Sequence, residues 1–392
     1  MSTYLGPPVE GKNFIGRKKI LAKLLAIVQS GMHILLSAPR RVGKTSIAKR
    51  LLFHLRNENW KGIYVSVEGA HDEVIFAKRI IDELRKHSSL WAHIKTGVLE
   101  TFKNSNIDIE AFGVKLKYKT NSNEVMILLE TLGRAVQSIK SDFIVIIDEL
   151  PVFLAHLERQ EDGLSRVETV LNTLRSFRQI DDGHSYERLH QKVWFFCGSI
   201  SLESFANQRN LAYTINDVRS IKVGAYEPEE AIAYIQTISI REGYHIDEDT
   251  QQYIISKIEW PIPYYLGIIL EAAMDKSPNR TIEQHHIDDG YEEALKTHKK
   301  DFDQWIQRLQ LHIKNYEVYL EILKIIATHQ NATLPLIKAK IMSTEWSNIS
   351  ELQLLATLDL LETDGYTILD DTVYRYRSPL IKDYIIRKLH LQ

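Results

Sequence analysis

The segment that most constrains this chain is Ser37-Ala38-Pro39-Arg40-Arg41-Val42-Gly43-Lys44-Thr45-Ser46, set between the apolar run His33-Ile34-Leu35-Leu36 and the helical pattern Ile47-Ala48-Lys49-Arg50-Leu51-Leu52. A strand, a tight loop closing on Gly-Lys-Thr and a helix together make a cradle for phosphate. Backbone N–H groups of the loop and the positive end of the helix face anionic oxygens, and Lys44 adds a point charge beside them. Thr45 presents a hydroxyl suited to a magnesium ion. Pro39, Arg40, Arg41, Val42, Gly43 and Ser46 complete the expected contact set. Ala38 stands where the eight-residue form of the motif usually has its first glycine, and it still leaves the loop mouth small.

A second signal is Asp142-Phe143-Ile144-Val145-Ile146-Ile147-Asp148-Glu149-Leu150-Pro151, a continuous apolar run that ends in two acids. Such runs are strands of a parallel sheet covered on both faces, and their carboxyl ends are where ligands bind. Asp148 is expected to hold the magnesium shell and Glu149 to orient and polarise the attacking water. A third run, Lys192-Val193-Trp194-Phe195-Phe196-Cys197-Gly198-Ser199, is expected as a strand inserted between the other two, with Ser199 reaching toward the terminal phosphate. For Ser199 a plain turn-initiating role after a buried strand stays open.

With Phe14-Ile15-Gly16-Arg17 added to these motifs, the chain resembles the AAA-type ATPases of the archaeal-ATPase and STAND group, relatives of the origin-recognition initiators. The resemblance runs from about Pro7 to Glu271 and continues more weakly beyond. It implies ATP and Mg²⁺ as cofactors, with Phe14, Gly16 and Arg17 near the adenine and ribose. It also implies a Gly-x-Pro element in a helical lid, matched here by Pro263, with Pro261 in place of the glycine. The expected fold class is therefore α/β: a P-loop parallel-sheet ATPase domain over 1–226, a helical lid over 227–300 and a C-terminal winged-helix domain over 301–392.

The alternation of strands and helices from about residue 14 to 225 agrees with a layered α/β domain. Strands are expected at 33–38, 62–67, 143–148, 193–198 and 220–224, with the 62–67 strand at one edge. Glu68, at the end of that edge strand, reads as a solvated acid. The long crossover that follows carries its own hairpin near 106–119, where Ile107–Glu110 and Val114–Lys119 alternate about Phe112-Gly113. Glu227-Pro228-Glu229-Glu230 starts the helical region. His285-His286 with Asp288-Asp289 is not expected to bind metal, because adjacent helical residues point to different faces.

Toward the C-terminus the pattern gives three helices and a hairpin from Gly365 to Arg377. The third helix carries Glu351, Asp359, Glu362 and Asp364 and no Lys or Arg, so phosphate would repel it from a DNA groove. Contact with DNA through Arg375 and Arg377 stays open, and a protein-facing or autoinhibitory role is preferred. The 49 basic and 51 acidic residues leave a net charge of −2, so no global basic field steers the chain to nucleic acid. The single cysteine, Cys197, rules out an intrachain disulfide and reads as a small buried hydrophobe. Residues 1–8 lack the blocks of a signal peptide and no apolar run reaches membrane-spanning length, so a cytoplasmic location is expected.

AAA-type relatives complete the site with an arginine from a neighbouring subunit, which implies self-association through the nucleotide face. Arg175 and Arg178, three apart on one helix, are the first candidates, with Arg209 and Arg219 as alternatives. Two readings follow. One is an ATP-hydrolysing switch whose nucleotide state controls assembly or partner engagement. The other is a slow or non-hydrolysing nucleotide-gated module acting on DNA or on a separate effector protein.

Overall fold

Long apolar strands with β-branched or aromatic residues at nearly every position are stable only when both sheet faces are covered. The computed structural model describes residues 9, 11–88, 91–92, 108–110, 113–115, 122–179, 190–309 and 317–390. The chain divides into two compact units, one of Lys19–Ser37 and Ile47–Lys222, the other of Met1–Lys18, Ala38–Ser46 and Val223–Gln392.

The first unit alternates helices and strands, Lys18 of α1 and the first three residues of α2 belonging to the other: α1 (Lys18–Gln29), β1 (His33–Ser37), α2 (Lys44–Asn57), β2 (Lys61–Ser66), α3 (Glu73–Arg85), β3 (Asp108–Glu110), β4 (Gly113–Lys115), α4 (Ser122–Gln137), β5 (Phe143–Asp148), α5 (Leu150–Glu158), α6 (Gly163–Arg178), β6 (Lys192–Gly198), α7 (Leu202–Asn207) and β7 (Val218–Lys222). Five strands form a sheet in the order β2-β5-β6-β1-β7, and every neighbouring pair is parallel. Every residue of β1, β5 and β6 is buried, whereas β7 keeps only Ile221 inside. The expected strands are present, β2 lies at an edge, and β6 is inserted between β5 and β1. The last strand starts two residues earlier than the apolar pattern suggested, because Val218 and Arg219 pair with His33 and Ile34 at the sheet edge. Strands β3 and β4 pair antiparallel, Ile109 opposite Val114; positions 107, 111–112 and 116–119 of the expected hairpin lie outside the described residues.

The second unit contains α8 (Pro228–Glu242), β8 (His245–Ile246), α9 (Glu248–Ile258), α10 (Pro263–Lys276), β9 (Thr281–Ile282), α11 (Gln284–Thr297), α12 (Lys299–Arg308), α13 (Glu317–Thr328), β10 (Ala332–Thr333), α14 (Leu334–Ile341), α15 (Glu351–Thr363), β11 (Thr367–Asp370), β12 (Val373–Tyr376) and α16 (Pro379–Lys388). Pro228, Pro263 and Pro379 each open a helix, where a missing N–H costs nothing. Ser350 and Gln353 close a reciprocal capping box at the start of α15. Strands β10, β12 and β11 form an antiparallel sheet.

An aromatic cluster ties α10, α12 and the C-terminal elements together. The Tyr265 and Trp305 rings lie 5.6 Å apart, Phe302 stacks on Tyr384 at 4.8 Å, and the Tyr366 hydroxyl donates to the Trp305 carbonyl at 2.6 Å. In α11 the His286 ring nitrogen accepts from the Glu283 N–H, a capping role. Among the described residues, no helix is long and apolar enough to cross a membrane.

Candidate functional site

The carboxyl ends of β1, β6 and β5 share one sheet edge. Leu36 is in register with Cys197, Ser37 with Gly198, and Cys197 with Asp148. Two strand spacings, about 10 Å, therefore separate the backbones of Leu36 and Asp148. Asp148 is 3% exposed, and both its oxygens accept hydrogen bonds. The Tyr64 hydroxyl donates to Oδ2 at 2.6 Å, while the Cys197 thiol at 3.1 Å and the Glu149 N–H at 3.0 Å donate to Oδ1. Tyr64 reaches Asp148 because Ser66 is the register partner of Asp148, and Tyr64, two residues earlier, faces the same side of β2.

Glu149 turns the chain out of β5 into α5 with φ of 65°. A left-handed conformation costs a non-glycine residue about 1 to 2 kcal/mol. Its Oε2 accepts from the Ser199 N–H at 2.9 Å and the Ser199 hydroxyl at 2.7 Å, which hold the residue there. Ser199, expected at the terminal phosphate, thus sits on the second acid. Gly198 is required beside it, since a Cβ at that position would meet Pro151 Cδ at 2.5 Å.

In the loop, Gly43 has φ of 94°, and a Cβ added there would find nothing within 4 Å, so the backbone is open to close approach. Lys44 is buried and donates to the carbonyls of Ala38 and Pro39, both at 2.7 Å. No acid lies in the first turn of α2, so the helix's positive end is not offset by its own side chains. Thr45 is half-buried at that turn, and the Ser46 hydroxyl accepts from the Val9 N–H at 2.9 Å. Val42 is buried, and its carbonyl accepts from Arg17 at 3.2 Å.

Phe14 is half-buried beside Gly16 and Arg17, which adopt φ of 72° and 64°. Arg17, expected near a nucleotide, is held by groups of the protein. Its buried guanidinium donates to the carbonyls of Ala225 and Gly224, both at 2.8 Å, and lies 4.4 Å from the Tyr226 ring centre, so Arg17 is a strut under the loop.

Arg40 and Arg41 are engaged by the far end of the chain. Arg40 donates to Gln304 Oε1 at 2.8 Å. Arg41 donates to Asp301 Oδ1, and its guanidinium sits 4.1 Å from the Tyr264 ring centre. The Tyr264 hydroxyl in turn donates to Asp301 Oδ2. Burial raises the Asp301 carboxyl's affinity for a proton, but the Tyr264 phenol and the Arg41 charge outweigh it and hold the group below the usual range. Pro263 is the first residue of α10, next to Tyr264, and the Pro261 carbonyl accepts from the Tyr226 N–H at 3.0 Å.

Arg178, expected as a candidate finger toward a neighbouring subunit, pairs within the sheet unit. Its side chain is 1% exposed and forks onto Asp217 with two 2.8 Å bonds. In this geometry its guanidinium closes the core. Arg209 likewise forks onto Glu158 and stacks on Phe205. Arg175 is half-buried with its guanidinium 5.9 Å from the Tyr213 ring, and Arg219 is exposed on the edge strand β7. In the C-terminal hairpin, Arg375 pairs with Asp370 at 3.0 Å and Glu259 at 3.4 Å, and Arg377 lies 5.5 Å from the Trp260 ring.

Sequence reasoning missed Tyr64, Tyr264, Asp301, Gln304 and Gly365. Tyr64, Asp301 and Gln304 sit in no motif, Tyr264 and Gly365 only border one, and each acts through a partner remote in the chain.

No family model matches the chain, and no curated protein matches its sequence. Solved structures do match. A Walker-type ATPase of Pyrococcus abyssi aligns over 98% of this chain and 99% of its own, with a TM-score of 0.64 at 16% identity. The ORC2 protein of Aeropyrum pernix, solved in ADPNP–ADP complexes, aligns over 97% and 98%, with a TM-score of 0.57 at 13% identity. At these identities the likeness is one of fold: this is a mixed α/β chain with the P-loop fold of Walker-type ATPases.

Proposed function

We propose that the chain is an ATP-binding and ATP-hydrolysing switch whose nucleotide state controls assembly or partner engagement. The observation that carries this reading is a strand-loop-helix ending in Gly43-Lys44-Thr45, on a parallel sheet whose β5 ends in Asp148-Glu149 and whose intervening strand leads to Ser199. The loop N–H groups and Lys44 bind phosphate oxygens. The Thr45 hydroxyl and the Asp148 carboxylate are hard oxygen donors that would hold magnesium, which when bound offsets charge on the phosphates. Tyr64 and Cys197 keep Asp148 in one orientation. Glu149 orients water and accepts its proton at the carboxylate that Ser199 now holds.

Self-association would bring in an arginine from a second copy, and exposure favours Arg219 or Arg175 over Arg178. The three helices and the hairpin from Glu317 to Tyr376 support a winged-helix reading. The acidic α15 and the internally paired hairpin arginines favour a protein partner over DNA. A second reading, a gated binding module with slow turnover, is favoured by Ser199 placing both its hydrogen bonds on Glu149.

The test is steady-state ATP turnover across protein concentrations, with and without duplex DNA, for wild type and Glu149→Gln. The switch predicts turnover that rises with concentration and a loss of about a hundredfold or more in Glu149→Gln with nucleotide binding retained. Equal turnover in the two proteins rejects the role of Glu149. Negligible turnover with tightly retained nucleotide selects the gated module.

A further inference from the structure

Helix α12 touches the phosphate loop with one face and the C-terminal elements with another. Asp301 and Gln304, three apart and so on one face, take Arg41 and Arg40. Phe302 and Asp303 face α16: Phe302 stacks on Tyr384, and Asp303 accepts from Tyr384 and Lys388. The Trp305 carbonyl accepts from Tyr366 at the entry to the hairpin. One residue earlier, Gly365 with φ of 85° packs on the loop itself, where an added Cβ would lie 2.6 Å from Pro39 Cβ. The loop is thus held at two points by residues of the last hundred positions.

We propose that Asp301 and Gln304 form an autoinhibitory latch that competes with the nucleotide's phosphates for Arg41 and Arg40, so that nucleotide binding and docking of the C-terminal region oppose one another. This rests on the nucleotide reading of the loop given above. A guanidinium presents a planar fork of donors that matches carboxylate and phosphate equally well. One fork cannot serve Asp301 in this geometry and a phosphate in full. Phosphate bears more negative charge than a carboxylate, so nucleotide displaces the latch. Release of Arg41 also removes the partner that Asp301 and Tyr264 share, which frees α12 and with it the contacts to Tyr366 and Tyr384. Linkage makes the effect reciprocal: whatever loosens the C-terminal docking tightens nucleotide binding by the same factor.

The experiment compares wild type with Asp301→Asn, which keeps shape and removes charge, and with Gln304→Ala, using a fluorescent ADP analogue and backbone hydrogen exchange. Nucleotide affinity in Asp301→Asn is expected to rise about 5- to 30-fold, and that in Gln304→Ala to rise less. Exchange across 365–377 is expected to speed up when nucleotide is added to wild type. In Asp301→Asn it is expected to be fast already and to respond little. Unchanged or weaker affinity in both variants overturns the latch, since Asp301 would then be positioning Arg41 for the ligand. If wild type binds no nucleotide, the proposed function falls, and exchange in nucleotide-free Asp301→Asn still decides the latch: unchanged rates across 365–377 reject it. Thermal unfolding of each variant separates these effects from general destabilisation.

Discussion

The two acids and the phosphate loop are held in opposite ways. Asp148 and Glu149 are fixed by Tyr64 and Cys197 of the same sheet and by Ser199 just past its β6 strand, between 49 and 84 positions away. Arg40 and Arg41 are held by side chains 264 and 260 positions away, in a different part of the chain. A sheet edge is rigid because many ladder hydrogen bonds define it together. A loop held by a few side-chain pairs is stable only while those pairs persist, which makes it the element able to respond to a ligand. The acids are preorganised, and under the latch proposed above the loop is the element that responds.

The largest expected effect breaks the loop side. Lys44→Ala removes the point charge and is expected to weaken nucleotide binding by about 3 to 4 kcal/mol, a few hundredfold, in a titration at fixed magnesium. A loss below tenfold would mean that the loop's arginines and backbone carry the phosphate alone. On the sheet side, Arg178→Ala leaves Asp217 without its partner. It is expected to cost about 2 to 3 kcal/mol in denaturant unfolding, below the range for fully buried pairs, because the Asp217 side chain is 24% exposed.

That pair also has a pH signature. Burial raises the Asp217 carboxyl, but the hydrogen bonds and charge of Arg178 win and depress it. A depressed acid contributes stability above its unfolded value, and that contribution is lost as pH falls through the folded one. The stability gap between wild type and Arg178→Ala should therefore begin to close as pH falls below about 4 and keep closing through the lower folded value. A constant gap down to pH 2 would assign the loss to packing.

Tyr64→Phe sharpens the acid side more gently. Removing one hydrogen bond to a buried carboxylate is expected to cost about 1.5 to 2 kcal/mol. The predicted readout is a rise of roughly tenfold in the magnesium needed for half-maximal turnover, with metal-free nucleotide affinity unchanged. Equal loss in both would make Tyr64 a general packing residue. The smallest effect is Gly365→Ala, where positive φ and the approach to Pro39 together are expected to cost about 1 kcal/mol. Hydrogen exchange in the 365–377 segment should rise while that of β5 and β6 stays unchanged.

The sheet was legible in the chain because its determinants are local. Continuous apolar runs at 143–147 and 193–197 require cover on both faces, and the acids that end β5 follow directly. The loop was legible for the same reason, since Gly43-Lys44-Thr45 carries its own spacing. The Asp217 partner of Arg178 was not legible, because helical spacing puts Arg178 on a face with Arg175 but does not say whether that face meets Asp217 or solvent. The partners of Arg17 were hidden likewise, its guanidinium being taken by carbonyls more than 200 positions later.

The chain by itself determined the Gly43-Lys44-Thr45 loop, the order of strands and helices, and the two acids at the end of β5, because each depends on neighbours in sequence. Only the tertiary structure decided which side chains hold them: Tyr64 and Ser199 on the acids, and Asp301, Gln304 and Gly365 on the loop. Those choices depend on contacts between segments remote in sequence, which periodicity and spacing do not encode.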